Sequence, residues 1–256
     1  MDVKKVIQVF DNYLKPQCFP VGVRLLTSSE DLPEKVRMPK RDLKVKMPLC
    51  QCISIARKYG WTMAMTQEDM LCPLGSLTLG FVPVKEKFLE GDFNIPFWVK
   101  NKKIRAKMAK NIPRLEDGKF DKILFAPIHK MDFEPHVIIF YGNPAQVSRL
   151  TQSVVYATGE TVDATTFGAF ACGFEITKPI LTGKPRVIMV GGGDRALAQT
   201  QDDEIAFAIP TNYIDNILDG LVETHKAGMR YPTTSFLMYQ PLFPPDFDKL
   251  MEYLEN

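Results

Sequence analysis

The sequence has few of the side chains on which acid–base and metal chemistry most often rest. Histidine is scarce: His129, His136 and His225 are the three in the chain, and they show no metal-ligand spacing. Charge of one sign is not in excess. The net is +2, which excludes a global pull toward nucleic acid or an anionic membrane. Long apolar runs are missing too. The longest, 123–128 and 137–141, are strand-sized, well short of the roughly 20 residues of a membrane-spanning helix. Met1-Asp2-Val3-Lys4-Lys5 leads into an amphipathic pattern and not an apolar leader, so a cytoplasmic protein is expected. Cysteine is modest and odd in number, five in 256 residues with no Cys-x-x-Cys pair. That argues against a disulfide framework, matches none of the recurring iron–sulfur signatures, and suits reduced thiols.

What is present is the composition of an ordinary folded protein, 45% hydrophobic and 24% charged, with ample material for a core. Val3, Val6, Ile7, Phe10, Tyr13 and Leu14 share a helical face over 2–14. Residues 20–26 read as a buried strand, and 27–47 as a Pro-punctuated cationic loop. Pro48 at the first turn and Gly60 at the end bracket a helix over 48–59, with Leu49, Cys52, Ile53 and Ala56 as its apolar stripe. A short strand over 62–66 leads through Glu68 and Asp69 to Cys72. Residues 81–120 form a less regular insertion, with an aromatic loop at 94–98 and a basic helix at 100–108. Strands at 122–128 and 136–141 follow, then a helix over 144–158 closed by Gly159, a short strand over 161–166, and Cys172. Later come strands at 186–190, 204–209 and 235–240, a helix from Thr211, and a short terminal helix from Pro244 to Leu254.

Two stretches match in outline. Strand 21–26, helix 48–59, strand 62–66 and Cys72 parallel strand 137–141, helix 144–158, strand 161–166 and Cys172. The pattern predicts an α/β fold: two related strand-helix-strand lobes in one compact domain with a mixed sheet. Lobe one would cover about 20–80, the insertion 81–120, and lobe two about 121–240 of a single domain spanning 1–256.

Chemistry is sought first at the cysteines. Cys50 and Cys52 open a predicted helix, where the dipole favours a thiolate, but Cys52 shares the apolar stripe and reads as core. Cys72 and Cys172 follow short strands in turns that can present a sulfur. A pseudo-twofold axis would gather Cys50, Cys72 and Cys172 into a site for an iron–sulfur cluster, a soft metal or a disulfide switch. The alternatives are a nucleophilic thiol at Cys72 or Cys172, with His129 as a candidate base, and plainly structural cysteine.

Val190-Gly191-Gly192-Gly193-Asp194-Arg195 follows a strand but lacks the Walker lysine and the dinucleotide spacing. A hairpin with positive-φ glycines is expected there, leading into another strand. Gly193, Asp194 and Arg195 are candidate ligand contacts, because a guanidinium on a tight turn can clamp an anion. The plainer expectation is an ion pair of Arg195 with Asp202, Asp203 or Glu204. The basic run Lys100–Lys110 beside Phe97 and Trp98 reads as a solvated face.

Val21-Gly22-Val23-Arg24-Leu25, Cys72-Pro73-Leu74-Gly75, Tyr141-Gly142-Asn143-Pro144-Ala145-Gln146, Gly193-Asp194-Arg195 and Asp202-Asp203-Glu204 together resemble the domain-of-unknown-function family 169 of archaea and bacteria. The resemblance runs from about Pro20 to Tyr231. It implies one domain over nearly the whole chain and a prokaryotic, often anaerobic, cytoplasmic setting, and it implies no activity. In that family's pattern a further cysteine often precedes the Gly-Asp-Arg turn, where this chain has Val190 and glycines. The expectation is therefore a cysteine-centred binding or redox accessory protein holding an iron–sulfur cluster, a metal, a small anionic ligand or no cofactor. A cysteine-nucleophile enzyme and a structural subunit are the alternatives. Expected partners are a small molecule, another protein or a second copy of the chain, with no nucleic acid and no membrane.

Overall fold

A computed structural model describes residues 1–93, 98–164, 166–233, 243–244 and 246–255. Ten α-helical segments are found among them: α1 (Val3–Tyr13), α2 (Leu49–Ser54), α3 (Pro73–Thr78), α4 (Glu86–Leu89), α5 (Lys102–Asn111), α6 (Pro144–Thr158), α7 (Lys178–Thr182), α8 (Gly192–Ala198), α9 (Ile214–Lys226) and α10 (Asp246–Glu255). The strands are β1 (Val21–Leu26), β2 (Met63–Thr66), β3 (Lys122–Pro127), β4 (Val137–Gly142), β5 (Arg186–Ile188) and β6 (Ile205–Pro210). They form one sheet in the order β2-β3-β1-β4-β6-β5. The α/β class is as the sequence predicts. Among the described residues no helix is long and apolar enough to cross a membrane.

Both faces of the sheet are covered, which is why its strands read as continuous apolar runs without alternation. On one face, Val21, Val23, Phe125, Ile139 and Tyr141 pack with Leu49, Cys52, Ile53 and Ala56 of α2 and with Phe170, Phe174 and Ile176. On the other, Ala126, Ile138, Phe140, Phe207 and Ile209 meet the apolar stripes of α1, α6 and α9. Two of those helices begin where local chemistry dictates. Asp2 caps α1 by accepting from Lys5 N, and Asn143 with Gln146 forms a reciprocal capping box on α6.

The sheet register repeats between the two halves of the chain. Val21 of β1 faces Pro127 of β3, and Val137 of β4 faces Pro210 of β6. Each of those prolines ends its strand and enters a three-residue 3-10 turn. Met63 of β2 faces Phe125, and Arg186 of β5 faces Ala208. Exchanging β1 with β4, β2 with β5 and β3 with β6 leaves the strand order unchanged. The ladders are antiparallel, and parallel bridges from Arg37 to Met63 and from Asp163 to Arg186 add a parallel element at each edge.

Four expectations change. The counterpart of the 49–59 helix is not α6. It is the continuous helix over residues 171–182, because that helix ends in left-handed Gly183 just before β5, as the first ends in left-handed Gly60 just before β2. Both helices carry a π-wound turn, Ile55–Tyr59 and Gly173–Thr177. Of the expected 161–166 strand, the described residues show a single parallel bridge, from Asp163 to Arg186 of β5. The glycine-rich turn is not a hairpin. Gly191 is extended and residues from Gly192 onward wind into α8. Gly191 is required there by close approach, since a Cβ would stand 2.5 Å from the Gly168 carbonyl oxygen. Finally, β3 lies between β2 and β1, so the first half of the sheet extends past residue 120. The expected strand at 235–240 and loop residues 94–97 fall outside the described residues.

Candidate functional site

The register symmetry has a consequence for the cysteines. Cys50 sits at the start of α2, Cys72 immediately precedes α3, and Cys172 lies at the start of the 171–182 helix. The elements interlock across the two halves. Helix α2 of the first packs on α8 of the second, and the hydroxyls of Thr78 in α3 and Thr177 in the 171–182 helix stand 3.1 Å apart. Gly173 permits that approach, because a Cβ there would lie 2.8 Å from Thr78 Oγ1.

The result is a group of mutually interacting ionisable side chains. Burial pushes the Cys172 thiol up, and the charges of Cys72, Asp194, Cys50 and Glu175 add to that shift in this order. Burial likewise raises Cys50, reinforced by Asp194, Cys72 and Glu175. Cys50, Cys72 and Cys172 each keep some exposed surface, whereas Cys52 is fully buried among apolar neighbours, as its stripe implies.

Two carboxyl groups complete the cluster. Glu175, three residues beyond Cys172, is fully buried. Tyr141 of β4 donates its hydroxyl hydrogen to Glu175 Oε1 at 2.9 Å, and Glu175 Oε2 is buried with no hydrogen-bond partner. Burial first, then the nearby charge of Asp194, pushes Glu175 up to about 8. Asp194, in the first turn of α8 and 6% exposed, is also raised by burial, against the pull of backbone N–H groups and Arg57. At neutral pH Glu175, Cys50 and Cys172 are thus held as neutral acids. Among the described residues, no group of three or more His, Cys, Asp and Glu side chains is placed to hold a metal ion.

Behind Tyr141 lies Arg57, 1% exposed. It forks onto Glu204 through Nη1 at 2.7 Å and Nη2 at 3.1 Å, and donates to Thr200 Oγ1 at 3.2 Å and Cys18 Sγ at 3.4 Å. Burial opposes its charge, but Glu204 together with Tyr141 and Cys18 outweighs that cost, and Glu204 is lowered in return. Cys18, Arg57 and Glu204 line a separate cleft of about 620 Å³ together with Phe19 and His129. His129 packs on Phe19 with ring centroids 4.3 Å apart, so it stands with Cys18 and not beside Cys72 or Cys172.

The other residues singled out from sequence divide. Asp194 joins the cluster. Arg195 does not: its guanidinium is engaged by the Gln201 carbonyl, the Glu204 carbonyl at 3.4 Å and the Asp202 carboxylate at 3.9 Å. Gly193 is a helical residue with open space where a Cβ would be. Sequence reasoning missed Glu175, Tyr141, Arg57 and Cys18. Glu175 had one local signal, its place less than a helical turn after Cys172. Arg57 had none, since its partner Glu204 is 147 residues away.

Comparison with known proteins finds a family model, DUF169, described as "Uncharacterised ArCR", over residues 9–220. The span includes every residue of the cluster and of the Cys18 cleft except Ile7, and it omits α10. "Uncharacterized protein MJ0308" of Methanocaldococcus jannaschii is 25% identical over 204 residues, which cover 78% of this chain and 85% of that protein. No solved structure matches.

Proposed function

The chain belongs to the DUF169 family, and we propose that it works as a thiol-centred redox protein, with Cys72 and Cys172 as the exchanging pair and Cys50 as a third thiol beside them. The observation that carries this reading is the packing of α3, which Cys72 immediately precedes, against the helix that Cys172 opens, through the Thr78 and Thr177 hydroxyls 3.1 Å apart, with both thiols keeping some exposure. In the oxidising direction, Cys72 attacks a disulfide of a partner molecule. The second thiol then displaces the bound half. One S–S bond forms in the protein as one is broken in the partner, which leaves as two thiols. Burial and the neighbouring carboxyl groups hold Cys172 and Cys50 protonated at neutral pH, which suits Cys172 to the resolving role and disfavours it as a lone nucleophile.

The test is equilibration of the purified protein, prepared without oxygen, in thiol–disulfide buffers, followed by alkylation and peptide mapping. The expected product is a Cys72–Cys172 link, with Cys18 and Cys52 alkylated as before. Failure to form that link anywhere in the buffer range overturns the reading. So does a coloured preparation carrying stoichiometric iron and sulfide, which would transfer the three thiols to a cluster.

A further inference from the structure

A thiol–disulfide couple exchanges protons as well as electrons, and the cluster contains a group suited to hold one. We propose that Glu175 is the proton donor and acceptor of the Cys72–Cys172 couple, held in position by Tyr141. The inference rests on the thiol reading above and names the residue that would handle its proton.

The geometry is specific. Glu175 shares the 171–182 helix with Cys172 and lies three residues further along it. One of its oxygens, Oε1, is fixed by Tyr141 at 2.9 Å. The other, Oε2, is buried and has no partner. A buried carboxyl oxygen without a partner costs stability, and it is one of the most deeply buried ionisable groups around the thiols. The groups that bear on it are Tyr141 from β4, Asp194 from α8 and Arg57 from the 49–59 helix. Glu175 in turn acts on Cys172 and on Cys50. Burial and Asp194 keep its proton in place to about pH 8, where a group can both give and take a proton near neutrality.

In the reducing direction, a thiolate of the reductant attacks Cys72 Sγ. The S–S bond breaks, and its electron pair goes to Cys172 Sγ, which takes the proton from Glu175. A second reductant thiolate then attacks its own sulfur in the mixed disulfide and releases Cys72, which is protonated from solvent. The reductant leaves as a disulfide. Glu175, now a carboxylate facing Asp194 in a buried setting, regains its proton from solvent. In the oxidising direction the carboxylate accepts the Cys172 proton as the sulfur becomes nucleophilic. The co-reactant is a small dithiol or its disulfide.

The experiment measures the rate of reduction of the Cys72–Cys172 disulfide by dithiothreitol across neutral and alkaline pH in wild type, Glu175→Gln and Tyr141→Phe. After correction for the dithiothreitol thiolate fraction, wild type should lose rate as pH rises through about 8, where Glu175 gives up its proton. Glu175→Gln should remove that limb and slow the neutral reaction by about a hundredfold. Tyr141→Phe removes a bond that favours the carboxylate, so the limb should persist and move to higher pH. That shift serves as the readout if the glutamine variant fails to fold. If the disulfide forms but both variants follow the wild-type profile, Glu175 is not the proton carrier and the thiol reading stands. If wild type forms no disulfide, the thiol reading fails and the inference falls with it.

Discussion

The guanidinium carbon of Arg57 stands 4.0 Å from the centre of the Tyr141 ring, and this contact ties the first half of the chain to the second. On one side Arg57 reaches Glu204 and Cys18; on the other, Tyr141 reaches Glu175. A buried cation of this kind is a poor source of net stability while intact and costly to break, because its partner is left charged and desolvated. Arg57→Met should therefore lower the free energy of unfolding by about 3–5 kcal/mol, read from the shift in urea midpoint. Arg57→Lys keeps the charge but cannot fork onto both Glu204 oxygens, and it should recover only part of the loss. Full stability in Arg57→Met would show that Glu204 finds solvent unaided.

Gly220 is where α9 crosses α6. A Cβ there would stand 2.3 Å from the Ser153 carbonyl oxygen and 2.6 Å from Ser153 Cα. Those are backbone atoms, so the helices must part for the methyl to fit. Gly220→Ala should destabilise by about 1–3 kcal/mol despite its better helix propensity, whereas the same substitution at Gly193, which has open space, should be mild or favourable. Thermal melts of the two variants side by side test this contrast.

How much of this was legible in the sequence depended on the distance over which each signal acts. The strands β1, β3, β4 and β6 announced themselves as apolar runs, and the helix ends at Gly60 and Gly159 as glycines after a stripe, because those signals are local. The repeated arrangement of strands was legible in outline, but the helix that goes with each half was not. The helix over 171–182 joins a π-wound stretch, Gly173–Thr177, to a proline-bearing one, Lys178–Thr182, both of mixed polarity, so α6 offered the cleaner match. The glycines at 191–193 suggested positive φ when the actual demand at Gly191 is the nearness of Gly168, a contact invisible to local reading. Cys50, Cys72, Cys172 and Asp194 could be nominated by residue type. Glu175 and Tyr141 could not, because a glutamate in a helix and a tyrosine in a strand are ordinary until their partner is known.

Gln146 joins the start of α6 to the end of α1. It is fully buried, its Oε1 accepts from Asn143 N at 2.9 Å, and its Nε2 donates to the carbonyls of Leu14 and Lys15 at 2.8 and 3.0 Å. Gln146→Leu fills similar space and removes every one of those bonds. It should cost about 1–3 kcal/mol through backbone groups left unpaired. Faster hydrogen exchange at the Asn143 amide should accompany the loss, and unchanged exchange there would count against the cap as the cause.

Glu175 also makes a prediction about stability against pH that is independent of any redox chemistry. Its carboxyl holds a proton to about 8 in the folded chain and to about 4.5, its ordinary value, when unfolded. Between those values the native state binds more protons than the unfolded state, so stability falls as pH rises. Asp194 is raised too and acts in the same direction. Glu204 and Glu30 are lowered and act oppositely, but their contribution is lost only on acidification below the ordinary carboxylate range. Glu175→Gln removes the titrating proton while keeping an acceptor for Tyr141, so its stability curve should be flatter from about pH 5 to about pH 8. Unfolding free energies of the two proteins should lie closest near the acid end of that window and diverge toward alkaline pH, with the variant the more stable. A gap that stays constant across the window would mean that Glu175 titrates alike in folded and unfolded chains, and that Oε2 is reached by water.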